Sequence, residues 1–271
     1  SNNEILVALA ALISGAGYVV ATGENHDGLA GISKIRRAIR VSTDGRLRSG
    51  IDSLLWSYTF NHTVKDSGKF RFVDTTATSA MSGGYLSMNS GSSVTSGQGT
   101  LCQTFQTFPL FGSSSLEAGF RVRWTQAPQT NNVCELGFAF ATGVATPTDG
   151  AYFKLGSDGN LYGVKNFNGT EVTTNLNITV AQNQVYYLRL VCDQDRLEFY
   201  IDGVCRGEID APVDAPTVTM AREFPLHMRI FNSSTVTTAQ KMDVAEQVVI
   251  LRDLSNPRSA ELTSAYLNNN S

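Results

Sequence analysis

Apolar and polar positions alternate with a period of two along most of this chain. In the segment 195–209, Leu197, Phe199 and Ile201 alternate with polar residues, and an Asp-Gly pair begins at Asp202. Such alternation places apolar side chains on one face of a β-strand. An Asp-Gly pair supplies the positive φ angles that a two-residue hairpin turn needs. The segment is therefore predicted to form a β-hairpin.

Comparable strand patterns, each bounded by Gly, Pro or Asn, follow one another from residue 54 to about residue 253. Their sequences are LLWSYTFN, TLCQTFQTF, LEAGFRVRWTQ, VCELGFAFAT, AYFKLGSDGNLYGVKNF, QVYYLRLVC, PLHMRIFNSS and DVAEQVVILRDL. Regular strand–turn spacing predicts an all-β fold, an antiparallel two-sheet β-sandwich or jelly roll, and not βαβ units. We expect three parts: an N-terminal extension (1–50), the jelly roll (51–255) and a C-terminal tail with a short helix (256–271).

The N-terminal extension combines an apolar run with a basic stretch. Ile5, Leu9, Leu12 and Ile13 fall near one face of a short predicted helix, which needs a partner to cover it. The stretch 34–48 has a local net charge of +5. It forms either a solvated surface around a turn at Asp44-Gly45, a docking surface for an acidic partner protein, or a phosphate site. The predicted docking residues are Ile5, Leu9, Leu12, Ile13, Lys34, Arg36, Arg37 and Arg40.

Composition narrows the class of protein. The chain has 271 residues, of which 42% are hydrophobic and 17% are charged, and its net charge is −3. These values exclude a disordered chain and predict no attraction for nucleic acid. The apolar run at 5–13 is shorter than the roughly 20 residues that cross a membrane, and it lacks the basic flank of a signal peptide.

The cysteines and histidines indicate no metal site. The four cysteines contain no C-x-x-C pair and are expected to be free, mostly buried thiols, with two disulfides as the alternative. Only three histidines occur, and no cofactor is expected. Cys134 and Cys192 are predicted in the core, whereas Cys205 is predicted to be more exposed. Four N-x-S/T sequons begin at Asn61, Asn168, Asn177 and Asn232.

The order AYFKLGSDGNLYG, QVYYLRLVCDQDRLEFYIDGVCRGEI and VAEQVVILRDL resembles the concanavalin A-like lectin and glucanase family, with its laminin-G-type jelly roll. The resemblance covers about residues 54–253 and implies a fold that serves many functions. A second resemblance rests on arrangement: a short N-terminal segment, VSTDGRLRSG and then a jelly roll are similar to structural proteins of tailed bacteriophage virions.

Glucanases of this family carry an E-x-D-x-x-E or E-x-D-x-E strand motif, whose alternation points the carboxylates to one face. Here Glu208 and Asp210 lack a third acid, the spacing from Glu198 to Asp202 is wrong, and Glu135 stands alone. The chain is therefore predicted not to be an enzyme. His62 is expected at a strand end and His227 is expected to face solvent, and neither fits a catalytic base.

Sugar sites in this family combine loop carboxylates, asparagines and an aromatic ring, often with calcium. No calcium-ligand motif occurs here, and ordinary turn residues are the alternative reading of the candidates. Trp56 and Trp124 are expected in the core or at an interface. The candidate glycan-binding residues, all expected in loops, are Asn131, Asn132, Asp149, Tyr152, Asn166, Phe167 and Asn168.

These observations lead to one principal hypothesis and two alternatives. We expect a non-enzymatic virion protein, a homo-oligomer attached through its N-terminal segment to a capsid or tail protein of the same particle. The first alternative is an extracellular carbohydrate-binding module that attaches to surface glycans. The second is an enzyme.

Overall fold

Two large antiparallel sheets carry most of the described chain. The computed structural model describes residues 53–91, 97–109, 115–144, 146–193, 196–210 and 223–252, together with short strands between residues 20 and 48. All regular elements within these residues are strands, so the predicted all-β class is confirmed. No helix among them is long and apolar enough to cross a membrane.

The first large sheet has seven strands, and every pairing that joins neighbours in it is antiparallel. In spatial order they are β14 (Thr170–Thr179), β13 (Asn160–Phe167), β12 (Asp149–Leu155), β11 (Asn132–Phe140), β18 (Glu223–Asn232), β9 (Gly99–Pro109) and β6 (Phe70–Thr75).

The second large sheet has eight strands. In spatial order they are β17 (Val204–Asp210), β16 (Arg196–Ile201), β15 (Val185–Cys192), β10 (Ser115–Trp124), β19 (Lys241–Arg252), β8 (Tyr85–Asn89) and β7 (Thr78–Ser82), with β5 (Ser53–Thr59) also paired to β19.

The hydrophobic core lies between these two sheets, because alternate residues of strands from both belong to one buried cluster. From the seven-stranded sheet, β11 contributes Cys134, Leu136 and Phe138. From the eight-stranded sheet, β10 contributes Phe120 and Trp124, both fully buried. This arrangement is the predicted two-sheet sandwich.

The predicted hairpin is present, with β16 and β17 as its arms. At its turn Asp202 and Gly203 have φ angles of 50° and 83°, the left-handed conformation that the Asp-Gly pair predicted. Within the described residues the cysteines are free: Cys205 is exposed and the other three are buried, as expected. Trp56 packs half-buried against the core.

The N-terminal part belongs to a separate unit, which comprises residues 1–53 and 252–271, whereas the sandwich unit comprises residues 54–251. Two small antiparallel sheets are described in the N-terminal part, β1 (Val20–Thr22) with β2 (Arg36–Ala38), and β3 (Arg40–Val41) with β4 (Leu47–Arg48). The predicted helices at both termini lie outside the described residues, as do Ile5, Leu9, Leu12, Ile13 and Lys34.

Candidate functional site

The outer face of the seven-stranded sheet, turned away from the core, carries a row of polar side chains. Strand pairing sets Gln103 of β9 opposite His227 of β18, and Arg229 of β18 opposite Glu135 of β11. Outer-face side chains of a sandwich are usually solvated. Here Glu135 and His227 are both fully buried. The prediction that His227 faces solvent is wrong, because a loop covers this face.

These four side chains form a continuous hydrogen-bonded network. Arg229 donates to Glu135 from Nε to Oε2 at 2.8 Å and from Nη2 to Oε1 at 2.6 Å. His227 Nε2 lies 3.2 Å from Glu135 Oε2, and Gln103 Nε2 lies 3.3 Å from His227 Nδ1. Because the Gln103 amide can only donate there, the network assigns the His227 proton to Nε2.

The network sets the charge of its members. Burial alone would raise the pKa of Glu135, but Arg229 and His227 outweigh it and lower that pKa to about 2. Burial lowers the pKa of His227, so its neutral form is favoured. Glu135 is therefore a permanently ionised carboxylate at neutral pH and cannot serve there as a proton donor.

A second polar group lies beside the network, on β12, β13 and β14. The Tyr152 hydroxyl donates to Glu171 Oε1 at 2.8 Å and accepts from Asn166 Nδ2 at 3.0 Å. Lys154 Nζ binds Glu171 Oε2 at 2.5 Å. Burial and the nearby carboxylates Glu135 and Glu171 raise the pKa of Tyr152, which keeps its hydroxyl protonated.

Glycine at position 137 makes room for these side chains. Gly137 lies between His227 and Tyr152 in the strand register. A Cβ atom there would lie 2.4 Å from the Ala151 carbonyl oxygen and 2.5 Å from Tyr152 Cα. Tyr152 therefore approaches β11 closely, and its ring centroid lies 6.4 Å from that of His227.

The hairpin loop between β11 and β12, residues 141–144 and 146–148 as described, lies over this face, and we call it the cover loop. Arg71 of β6 donates to the carbonyl oxygens of Ala141, at 3.2 Å, and Thr142. Arg229 Nη1 donates to Val144 O at 2.7 Å. At the far end, Asn166 Nδ2 donates to Pro147 O at 2.8 Å. The loop therefore accounts for the burial of the polar network.

An open groove of about 350 Å³ lies on the same face, near the start of β11 and the end of β12. Tyr162 lines it with a half-exposed ring whose hydroxyl donates to Asp158 Oδ2 at 2.7 Å. Lys154 lines it too, and it is the cross-strand partner of Glu135. The groove residues are Asn131, Asn132, Val133, Lys154, Leu155, Gly156, Ser157, Tyr162, Thr173 and Ser233.

The predicted glycan-binding residues fall into three groups. Asn131, in a left-handed conformation with φ of 66°, and Asn132 line the groove. Five of the seven were wrongly expected in loops and lie on strands, namely Asn132, Asp149, Tyr152, Asn166 and Phe167. Of these, Tyr152 and Asn166 are buried under the cover loop. Asp149, the first residue of β12, is buried; Phe167, the last residue of β13, is half-buried; and Asn168 is exposed in the turn that follows.

Sequence reasoning missed several residues of this face, namely Gln103, Lys154, Tyr162, Glu171, Arg229 and the cover loop. An available signal was the alternation of His227 and Arg229 with apolar residues in β18. Two basic side chains inside an apolar strand predict a buried acidic partner. Glu135, in the apolar strand β11, is that partner.

Glu208 and Asp210, the pair closest in spacing to the glucanase motif, lie away from this face. Glu208 and Asp210 are exposed on β17 of the other sheet, where Glu208 lies 3.8 Å from Arg196. After Glu135, the next outer-face positions of β11 are Gly137 and Ala139, so this strand presents one carboxylate. Within the described residues, no group of three or more His, Cys, Asp or Glu side chains is arranged to hold a metal ion.

The sandwich is similar to solved structures of carbohydrate-active proteins. The catalytic domain of an endo-1,3-β-glucanase (laminarinase) from Thermotoga petrophila RKU-1 has a TM-score of 0.55 and 13% identity, covering 76% of this chain and all of that one. A Bacillus licheniformis β-glucanase has a TM-score of 0.51 and 14% identity, covering 73% and 96%. The carbohydrate recognition domain of Emp47p has a TM-score of 0.51 and 11% identity, covering 72% and 94%.

These similarities confirm the predicted jelly roll and correct one prediction. The absence of the glucanase motif led to the prediction that the chain is not an enzyme. That prediction is wrong, because the same scaffold carries the catalytic domains of glucanases. It also carries a carbohydrate recognition domain, so the fold by itself is compatible with either activity. The resemblance to tailed-phage virion proteins receives no support from these structures.

Sequence comparison places the chain in a family. No curated protein matches the sequence. The family described as SO2946-like, C-terminal domain, matches residues 82–244, which is more than half of the chain and runs from β7 to β19. The protein therefore belongs to the SO2946-like C-terminal domain family.

Proposed function

We propose that this protein binds a glycan, in the groove that Tyr162 lines on the outer face of the seven-stranded sheet. The observation that carries the proposal is the combination in one groove of an aromatic ring with amide, hydroxyl and ammonium groups. A sugar ring has an apolar face of C–H groups and a rim of hydroxyls. A half-exposed tyrosine suits the first, and the polar groups suit the second.

Hydrogen bonds within the protein order the side chains of the groove before a ligand binds. Asp158 fixes the Tyr162 hydroxyl at 2.7 Å, and Glu171 fixes Lys154 Nζ at 2.5 Å. The Asn131 side chain donates from Nδ2 to Thr235 O at 3.0 Å. Side chains that are already ordered lose less conformational entropy on binding. The volume of about 350 Å³ suits a short stretch of glycan, because ligand pockets span roughly 300–1,000 Å³.

The fold neighbours suggest which glycans to test first. They include an endo-1,3-β-glucanase and a β-1,3-1,4-glucanase, so β-glucan oligosaccharides are the first probes. Titration calorimetry with laminarihexaose and with a mixed-linkage hexasaccharide should detect binding to the full chain. An array of other glycans extends the search.

The variant Tyr162→Ala should weaken binding by about tenfold, or about 1.4 kcal/mol. Tyr187→Ala is the matched control, because Tyr187 is 37% exposed on the eight-stranded sheet. We expect its affinity to be unchanged. The proposal fails if no glycan binds, or if both tyrosine variants bind equally well. Melting temperatures establish that both variants are folded.

Cleavage of the bound glycan is a second candidate function, favoured by the catalytic domains among the fold neighbours. Glu135 is held ionised by Arg229, so a general acid has to come from another residue. Glu171, a half-buried carboxylate that accepts from Tyr152 and from the groove residue Lys154, suits a general base and not that acid. Reducing ends released by the wild type and lost in Glu171→Gln would support cleavage. Attachment to a virus particle and self-association stay predictions without a supporting contact.

A further inference from the structure

The cover loop is held by the sheet in an unusual way. Among the described residues, each side-chain hydrogen bond from the sheet to the loop ends on a backbone carbonyl oxygen, on Ala141, Thr142, Val144 or Pro147. Beyond these, the Gly169 amide donates to Thr148 O at 2.7 Å. The sheet therefore presents a set of hydrogen-bond donors, and the loop supplies acceptor oxygens to them.

The loop also crosses the sheet. Its donors come from β6 with Arg71, from β18 with Arg229, from β13 with Asn166 and from the turn after β13 with Gly169. β6 and β13 lie at or near opposite edges of the seven-stranded sheet, and β18 lies between them. The contacts of the loop therefore span the strands from β6 to β13.

One buried atom under the loop has no partner. Asn166 is fully buried, and its Oδ1 accepts no hydrogen bond within the described residues, while its Nδ2 donates to both Pro147 O and the Tyr152 hydroxyl. A buried acceptor without a donor is unfavourable. Asn166 Oδ1 therefore lacks a hydrogen-bond donor. The loop does not supply one, because it offers carbonyl oxygens there.

We propose that the cover loop is an internal substitute for a longer glycan, and that a glycan displaces it from the sheet. The oxygens of the glycan replace the loop carbonyls on Arg71, Arg229 and Asn166 Nδ2. A sugar hydroxyl donates to Asn166 Oδ1. This inference rests on the proposed function and extends its ligand from a short stretch in the groove to an oligosaccharide that crosses the sheet.

Displacement is physically accessible to this loop. Few of its side chains are buried: Ala141 and Pro147 are, whereas Thr142, Thr146 and Thr148 are exposed. If the open state is populated at about 0.1–10%, closure weakens the apparent affinity for the long glycan by about 10- to 1,000-fold. Removing the loop should restore the affinity that closure costs.

The register of the hairpin offers a direct test. Phe140 and Asp149 are cross-strand partners at the two ends of the loop. Replacing residues 141–148 by Asn-Gly closes the same hairpin with a two-residue turn and leaves the register of β11 and β12 unchanged. We expect this variant of the full chain to bind hexasaccharides at least about tenfold more tightly than the wild type. Disaccharides, which fit the groove alone, should bind both equally.

A folded Asn-Gly variant that binds hexasaccharides no more tightly than the wild type overturns the inference. If that variant does not fold, hydrogen exchange in the wild type decides. The Gly169 amide, released from Thr148 O, should exchange faster when laminarihexaose is bound, and unchanged exchange in the bound state overturns the inference. If laminarihexaose does not bind the wild type, Pro147→Gly replaces the wild type, because it loosens the loop and leaves the sheet donors in place. Absence of binding there too overturns the inference.

The groove proposal and the loop inference fail in different ways. Tyr162→Ala weakens disaccharide binding if the groove is the binding site, whatever the loop does. If the groove holds and the loop variant changes nothing, only the loop inference fails. If the loop variant alone binds glycans, the groove proposal fails. If neither protein binds any glycan, both fail.

Discussion

Glu135 and Arg229 lie directly opposite each other on neighbouring strands and share two hydrogen bonds, with both side chains buried on the outer face of the sheet. A buried ion pair costs desolvation and is tolerated when its geometry satisfies both partners. Here Arg229 satisfies both carboxylate oxygens and also holds the Val144 carbonyl of the cover loop. The pair thus joins the sheet to its cover.

Arg229→Met should lower the free energy of unfolding by about 3–5 kcal/mol, because it leaves Glu135 charged and buried without its partner. The double variant Glu135→Leu with Arg229→Met should recover much of this loss. Urea unfolding at pH 7 measures both. Lys69→Met is the control: Lys69 lies 3.6 Å from Asp66 in a largely exposed pair, which should contribute within about 1 kcal/mol. A small effect of Arg229→Met would mean that the network relaxes around the loss.

Stability should fall as the pH drops below about 6.5, because of His227. Its ordinary pKa is 6.5 and burial lowers it in the folded state, so the unfolded chain takes up a proton that the folded chain does not. The contribution is present above pH 6.5 and is lost below it. His227→Gln should flatten this slope, and exposed His62→Gln should not. Urea midpoints at pH 7.5, 6 and 5 measure the slope, and an unchanged slope in His227→Gln would assign it to another group.

A second loss of stability should follow at lower pH. The pKa of Glu135 is 4.5 in its ordinary state and about 2 in the fold, so its contribution is present above pH 4.5 and is lost as the pH falls towards 2. The Glu135→Leu, Arg229→Met double variant lacks this carboxylate and should show a smaller drop between pH 4.5 and 3. Urea midpoints at both pH values measure the drop, and equal drops in the two proteins would refute the assignment.

Gly137→Ala should destabilise the fold by about 1–3 kcal/mol, because the added methyl meets the backbone of β12 at 2.4–2.5 Å. Gly143→Ala, in the cover loop, is the matched control, since its Cβ meets nothing within 4 Å. Thermal unfolding of the two variants compares them. Equal stability would show that β11 and β12 can move apart at this point.

Expression in a eukaryotic secretory pathway should modify the sequons selectively. Asn61, Asn168 and Asn177 are exposed, whereas Asn232 is fully buried with its side chain bonded to Asn132. A folded chain should therefore carry glycans at the first three positions only. Peptide mass spectrometry gives the occupancy of each site. Modification at Asn232 would mean that the acceptor is reached before the sheet forms.

The hairpin of β16 and β17 could be predicted because its signals are local: the period of two and the Asp-Gly turn lie within fifteen residues. The outer-face network could not. Glu135 is 92 residues from His227 and 94 from Arg229, so only strand order brings them together. The alternation in β18 correctly separates the core residues from His227 and Arg229. A period of two does not show, however, that a loop buries the outer face of the sheet. Tyr162 lies in the strand pattern AYFKLGSDGNLYGVKNF, yet nothing local indicates a groove beside it.

The pairing of Phe140 with Asp149 has an evolutionary consequence. Insertions or deletions between these two residues leave every strand in register, so they are tolerated by the scaffold while they change how much of the polar face is open. Among members of the family, length variation should therefore concentrate at this hairpin. Lineages with a short connection should then differ in ligand size from those with a long one.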